Sequence, residues 1–421
     1  MKIVVLTGYY YPNMYPPAAC IDKYIQELKK NHTVHIVCQK SAYKYKECND
    51  SNISFHAVSN WTNDLRNYAN YCILNSKKKV LFQIVLFFVR LFGVIITPFV
   101  YPSRLYWLKQ KYYEELNNIN SSDSIDVIIS VSMPTCAHLA AMKFKKEHPN
   151  VKWITYSTDP FTFYDTSYHG VIFKKNRKYK NFKTELDYYN SADINILTEE
   201  LYDSALNDFH VPKQKLLCFP YVLKEIKAPT SPSLELDGKI KIVYAGALNS
   251  VIRNPEYALS VLSKVDIITL YLFQSGDCDS ILRKYSSNNI RINGLVKRDN
   301  YLSLISKEAD ILLNIGNNSD LQAPSKMLEL LSTGKPIINF YFKKDNQYRM
   351  IEKYPLGLNI GRNEENAIDK VYSFCKSFCS SRMTYQEVEK MFPENCLKNQ
   401  LEILDKAMLT LKQIKECKYQ I

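Results

Sequence analysis

Residues 1–38, MKIVVLTGYYYPNMYPPAACIDKYIQELKKNHTVHIVC, decide the fold class. Residues 2–7 form an almost unbroken apolar run of strand length. A Tyr/Pro-rich loop follows, then an amphipathic pattern from about Pro17 to Lys30, then a second apolar run at residues 33–38. Two such runs separated by one helical stretch describe a βαβ unit, whose strands are parallel and buried on both faces. Further strand-length apolar runs lie at residues 125–131, 151–156, 194–197 and 216–219, with helical patterns between them. This alternation predicts a parallel sheet covered by helices.

The same order begins again at Ile240. Strands are expected at residues 240–245, 267–273, 290–293, 311–315 and 336–340, which predicts a second doubly wound sheet. The organisation expected is a first Rossmann-like domain over 1–222, a linker over 223–239 rich in Pro and polar residues, and a second Rossmann-like domain over 240–393. A C-terminal amphipathic helix within 394–421 is expected to pack back on the first domain. A chain of 421 residues suits two such cores better than one.

The composition is globular, with 46% hydrophobic and 23% charged residues. A net charge of +13 fits an anionic membrane surface or anionic small molecules. Nucleic acid is not an expected partner, because the aromatic residues are spread along the chain rather than interleaved with a basic patch. The eleven cysteines form no C-x2-C pair and read as free thiols of a reducing compartment. The apolar run after Lys2 is too short for a signal peptide, so the expected location is cytoplasmic.

Residues 80–100, VLFQIVLFFVRLFGVIITPFV, follow Lys77, Lys78 and Lys79 and match the ~20 residues that cross a bilayer. A single crossing would put strands of one sheet on opposite sides of the membrane. Gln83, Arg90 and Thr97, seven residues apart, form one polar stripe on a helix, which predicts a helix lying in the plane of the membrane interface. The protein is then peripheral on the inner face of the cell membrane.

Residues 321–336, LQAPSKMLELLSTGKP, carry the chemistry. Pro324 suits the first position of a helix and Gly334 its C-terminal cap. A phosphate suits the start of that helix, with Ser325 and Lys326 beside it. Lys326 and Glu329 share a face: either an ordinary surface pair, or a lysine for phosphate and a carboxylate for sugar hydroxyls.

Residues 323–336 resemble the PSK-x-x-E-x-x-x-x-GKP signature of family 4 glycosyltransferases, which have the two-domain GT-B architecture. The opening loop and helix, YAGALNSVIRNPEYAL at residues 244–259 and INGLVKRDNYLSLISKEADILL at residues 292–313 resemble further segments in the same order. The resemblance implies two domains facing a cleft and a nucleotide-sugar donor held by the second domain. It also implies retaining transfer without metal or cofactor, onto a lipid-linked or glycan acceptor, as in bacterial surface polysaccharide synthesis.

Carried over residue by residue, Arg253 and Lys326 match the diphosphate ligands and Glu329 the ribose carboxylate, with Gly246 and Ser325 at the donor. Leu321 stands where the family has a second acid, and Ala247 where many members have an arginine. Ala18 and Ala19 replace the paired glycines of its first loop. For the acceptor side, Asp159 at an Asp-Pro step and His138 are candidates, each also readable as structural. Asp277-Cys278-Asp279 is a weak metal motif and reads as a turn. Two alternatives stay open: a nucleotide-sugar epimerase of the same fold, and a nonenzymatic nucleotide-sugar-binding protein.

Overall fold

The computed structural model describes residues 1–417 except Asn13, 45–51, 164–172, 228–233, 236, 288 and 319–325, and side chains up to residue 411. The chain divides into two compact units, Met1–Pro220 with Gln400–Ile421, and Tyr221–Asn399. Each is built on one parallel sheet.

In the first unit the strands are β1 (Lys2–Tyr9), β2 (Thr33–Gln39), β3 (Ile53–Val58), β4 (Val127–Val131), β5 (Lys152–Ser157), β6 (Ile194–Leu197) and β7 (Leu216–Cys218). They lie in the order β3-β2-β1-β4-β5-β6-β7. β1 is central, with Val4 opposite His35 of β2 on one side and Ile128 of β4 on the other. Residues Ile3 to Leu6 are wholly buried, as a strand covered on both faces requires. The helix Pro16–Leu28 covers this sheet and starts with proline in its first turn, where the missing N–H costs nothing.

The second unit has β8 (Ile240–Leu248), β9 (Ile268–Gly276), β10 (Ile290–Asn293), β11 (Ile311–Ile315), β12 (Ile337–Tyr341) and β13 (Gly357–Gly361). Their order is β10-β9-β8-β11-β12-β13. Both sheets therefore wind outward from a central strand in two directions, the doubly wound pattern expected from the sequence. Two edge strands, β3 and β13, go beyond that expectation.

The helix Leu397–Cys417 returns to the first unit. Leu404 and Met408 are buried, and Gln400 accepts a hydrogen bond from Tyr24 of the helix Pro16–Leu28 and donates to the Pro220 carbonyl at 2.9 Å. The helix begins at Leu397, after a 3-10 turn at Pro393–Asn395, rather than at Glu394. Within 223–239, Leu223 is buried against the second unit's core and its N–H reaches the Asn395 carbonyl at 2.9 Å.

The apolar run forms the helix Lys79–Ile96, which by length and composition is long and apolar enough to cross a membrane. It is inserted between β3 and β4 of one sheet. Only Leu86 and Gly93 are buried on it, whereas Val80, Phe87, Phe88 and Val94 are each about 60–70% exposed. Trp61 of the neighbouring helix Trp61–Asn75 packs on Phe92, and Tyr68 on Phe82.

Candidate functional site

In the second unit the winding direction reverses between β8 and β11, and ligands of such sheets bind beyond the carboxyl ends of the strands at that point. Two loops meet there. After β8 the chain makes a tight turn in which Asn249 and Arg253 exchange backbone hydrogen bonds, at 2.9 and 3.2 Å. After β11, the N–H of Asn318 donates to the Ile252 carbonyl at 2.7 Å. The Asn249 side chain accepts from the N–H groups of Val251 and Ile252. Asp277, the first acid of the D-x-D triplet, accepts from Ser250 N–H at 2.8 Å and from Asn249 Nδ2 at 3.0 Å. Its carboxylate is held below the usual range first by the Ser250 backbone, so it braces the turn. Gly276 beside it has φ +132, and a Cβ there would lie 1.7 Å from the Leu248 carbonyl oxygen. Only glycine allows this close approach of the strand ends.

The turn sets Arg253 in place. Its Nε donates to Asn317 at 2.8 Å and its Nη1 to the Ala247 carbonyl at 3.3 Å. These bonds use two of five guanidinium donors. Lys326, at the start of the helix Lys326–Ser332, donates to the Ala245 carbonyl at 3.0 Å. A Cβ at position 246 would sit 2.9 Å from the Tyr244 hydroxyl, so Gly246 lets that ring and the Lys326 ammonium lie against the strand end. Burial pulls the Lys326 pKa down; Glu329 opposes this, and the charges of Arg253 and Arg298 add to it.

Glu329 lies one turn further on and is held by Arg298 in a bidentate pair at 3.0 and 2.5 Å. Tyr301 lies against both cations, its ring centre 5.3 Å from the Arg298 guanidinium and 5.5 Å from the Lys326 ammonium. Its hydroxyl is buried beside the Glu329 carboxylate; burial, then the Glu329 charge and its hydrogen bond, push its pKa up. Gln274, paired with Gly246 across β8 and β9, carries a buried oxygen without a partner among the described residues. Buried polar groups are rarely left so, which marks a place where a polar ligand completes the bonding. Three cations around one carboxylate, on a half-buried surface, favour an anion.

Thus Arg253, Lys326, Glu329 and Gly246 converge on one end of one sheet, while Ser325, Pro324 and Leu321 lie outside the described residues. Arg298 and Tyr301 join the site as well, and their i, i+3 spacing, which places them on one helix face, is the only local signal of it in the sequence. The GKP end of the signature is structural. Gly334 has φ +69, with the Met383 carbonyl oxygen 1.9 Å from where a Cβ would stand. Lys335 is buried, donates to the Ala309 carbonyl, and has its pKa lowered to about 8, first by burial.

The first unit holds a cavity of about 610 Å³ at the carboxyl ends of β1, β2 and β4, lined by Gly8, Tyr9, Gln39, Met133, Pro134, Phe161, Arg104 and Arg177 among others. Asp159 stands next to its lining residues Pro160 and Phe161. Burial raises its pKa, and Thr158 donates to it at 3.1 Å. His138 requires a correction. It is 1% exposed, its Nδ1 is 2.7 Å from Ser130 Oγ and its Nε2 3.1 Å from Ser157 Oγ. Burial lowers its pKa to about 3. The helix Cys136–Glu147 turns this residue inward, so it is a neutral core histidine and no part of the cavity.

No protein-family model matches the chain, and no curated protein matches it in sequence. Solved structures do match along its whole length. Sucrose-phosphate synthase from Thermosynechococcus elongatus is similar with a TM-score of 0.61 at 11% identity, over 100% of this chain and 99% of that one. The fold is shared. The lipopolysaccharide outer core galactosyltransferase WaaB gives a TM-score of 0.58 at 13% identity, over 97% and 99% of the chains. A UDP-forming α,α-trehalose-phosphate synthase from Burkholderia vietnamiensis gives 0.60 at 8% identity, over 97% of each. At such identities the likeness concerns the fold: two parallel-sheet α/β domains of the GT-B kind.

Proposed function

We propose that this protein is a retaining glycosyltransferase of the family 4 type. It moves a sugar from a nucleoside diphosphate sugar to a membrane-associated, lipid-linked or polysaccharide acceptor in surface polysaccharide synthesis. The observation that carries the reading is the group Arg253, Lys326, Arg298 and Glu329 at the switch point of the second sheet. Arg253 and Lys326 bind the donor diphosphate and stabilise the negative charge that grows on it as the glycosidic bond breaks. Glu329 accepts from the ribose hydroxyls, and Tyr301 and Gln274 supply polar groups at the rim. The names of the similar structures, a galactosyltransferase and a UDP-forming synthase among them, agree with donor chemistry of this class.

The acceptor side of the reading rests on the cavity of the first unit, with Asp159 at its edge, and on the helix Lys79–Ile96. An exposed apolar face of this size on a soluble surface marks an interaction site. It is flanked by Lys77, Lys78 and Lys79 at one end. At the other, Tyr101 donates to Thr184 of the helix Lys174–Ser191, whose first turns carry Lys174, Lys175, Arg177 and Lys178. Apolar residues bordered by cations suit the headgroup region of an anionic bilayer, on the cytoplasmic face of the cell membrane.

The test is sugar transfer. Purified protein is incubated with a panel of labelled nucleotide-sugars and cell membranes, without added metal, and the lipid extract and polymer fractions are counted. Label entering either fraction from one donor, with the donor's anomeric configuration in the product, supports the reading. An isomerised nucleotide-sugar formed without membranes points to an epimerase instead. Donor binding with no product of any kind points to a nonenzymatic binder.

A further inference from the structure

A second cavity, of about 380 Å³, adjoins the first and shares Gln39, Arg104 and Leu105 with it. Its walls are the start of the helix Trp61–Asn75, the inner face of the helix Lys79–Ile96, and residues 104–107. Three arginines line it: Arg66, Arg90 and Arg104. Arg177 lines the larger cavity beyond. No carboxylate is among the described residues lining either one.

These arginines are not neutralised by their surroundings. Arg66 donates only to neutral groups, the Tyr9 hydroxyl and Asn63 Oδ1 at 2.8 Å. Burial, and then the charge of Arg104, push the Arg66 pKa below the ordinary guanidinium value. Arg90 and Arg104 make no hydrogen bond or ion pair among the described residues. Arg177 donates to the backbone carbonyls of Val100, Thr97 and Pro98 at 2.9 to 3.3 Å. The nearest acid on the helix Trp61–Asn75, Asp64, is turned to Lys40 at 3.4 Å and Ser59 at 2.9 Å. Like charges gathered on a partly buried wall disfavour one another, and an anion of matching charge relieves this.

The outer face of the same helix that contributes Arg90 is the exposed apolar surface of Val80, Phe87, Phe88 and Val94. One ligand chemistry answers both features. We propose that the smaller cavity binds the diphosphate head of a lipid, through Arg66, Arg90 and Arg104, with its hydrocarbon chain lying along the outer face of Lys79–Ile96. The larger cavity then receives the sugar or hydroxyl next to the diphosphate. This deepens the transferase reading, since the lipid diphosphate is the acceptor, but the binding itself does not depend on transfer.

The experiment uses the full chain and vesicles of neutral phosphatidylcholine carrying either a polyprenyl diphosphate or phosphatidylglycerol at equal negative charge. Sedimentation measures binding to each, with inorganic pyrophosphate as soluble competitor. The wild type is expected to bind the diphosphate vesicles roughly tenfold or more tightly than the phosphatidylglycerol vesicles. The double variant Arg90→Gln, Arg104→Gln changes exposed side chains, and it is expected to lose that preference while keeping the wild-type melting temperature. Equal binding to the two vesicle types, or a preference that survives in the double variant, overturns the proposal. Competition by pyrophosphate at the concentration of the lipid diphosphate overturns the assignment to a lipid. Nucleotide-sugar binding, measured separately, tells the failure of this site from the failure of the transferase reading. Loss of one leaves the other measurable.

Discussion

His138→Gln separates a core histidine from a catalytic one. Trp153 Nε1 donates to Ser130 Oγ at 2.8 Å, and the same Oγ lies 2.7 Å from His138 Nδ1. The other ring nitrogen, Nε2, lies 3.1 Å from Ser157 Oγ, so a neutral imidazole has a hydroxyl partner at each nitrogen. Protonating the ring would place an uncompensated charge inside a dry core. The pKa falls from 6.5 in the unfolded chain to about 3 in the folded one, through burial. The stabilising effect is complete above pH 6.5 and is lost as the pH falls from there toward 3, because only the unfolded state takes up the proton. At pH 5 the loss is about 2 kcal/mol, at roughly 1.4 kcal/mol per unit below 6.5. For a unit of this size it corresponds to about 4–8 °C in melting temperature between pH 7 and pH 5. Calorimetric melting of the wild type and His138→Gln across that range reads the difference directly. The variant starts less stable at pH 7 but lacks this part of the slope, and its activity per folded molecule keeps the wild-type pH profile. Identical pH slopes in the two proteins would refute the reasoning.

Three further substitutions probe the donor site, the signature and the membrane face. Lys326→Met removes a charge-assisted contact of about 1.5–3 kcal/mol, so nucleotide-sugar affinity falls about 10- to 100-fold. The melting temperature does not fall, because a half-buried cation flanked by Arg253 and Arg298 is lost; wild-type affinity in the variant contradicts this. Gly334→Ala forces a Cβ against the Met383 carbonyl at φ +69 and costs on the order of 2 kcal/mol or more, seen as a lower melting transition of the second unit. An unchanged transition would mean that the turn is not needed. Replacing Phe87, Phe88 and Leu91 by Gln releases the protein from anionic vesicles without loss of thermal stability, whereas unaltered sedimentation excludes that face as the contact.

The central strands were legible because a strand buried on both faces is almost wholly apolar, as Ile3–Leu6 is and as Ile311–Ile315 is apart from Asn314, whose side chain donates to Asn339 and Gln347. The edge strands were not. β13 reads GLNIG, with two glycines and an asparagine, and β3 carries an exposed Ser54 and a half-buried His56. Register against a neighbour, rather than local composition, makes them strands. Arg253, Lys326 and Glu329 were legible through their signature, and the fold joins them. Arg298 and Tyr301 were not, since a carboxylate partner 31 residues away leaves no local pattern. The same holds for Arg66, Arg90 and Arg104, brought together from two helices and a loop. His138 misled because its chain position follows a cleft-facing strand end, while the helix rotation sets it inside the core against Tyr188, Ser130 and Ser157.

The central claim is that the basic group of the second unit holds a nucleoside diphosphate sugar. Calorimetric titration of the full chain with UDP-, GDP-, ADP- and TDP-sugars, without added metal, tests it most directly. One nucleotide class is expected to bind with micromolar affinity, about −8 kcal/mol, and Arg253→Ala to weaken it by about 1.5–3 kcal/mol. Absence of binding by every nucleotide-sugar at millimolar concentration, in a protein that melts cooperatively, would contradict it.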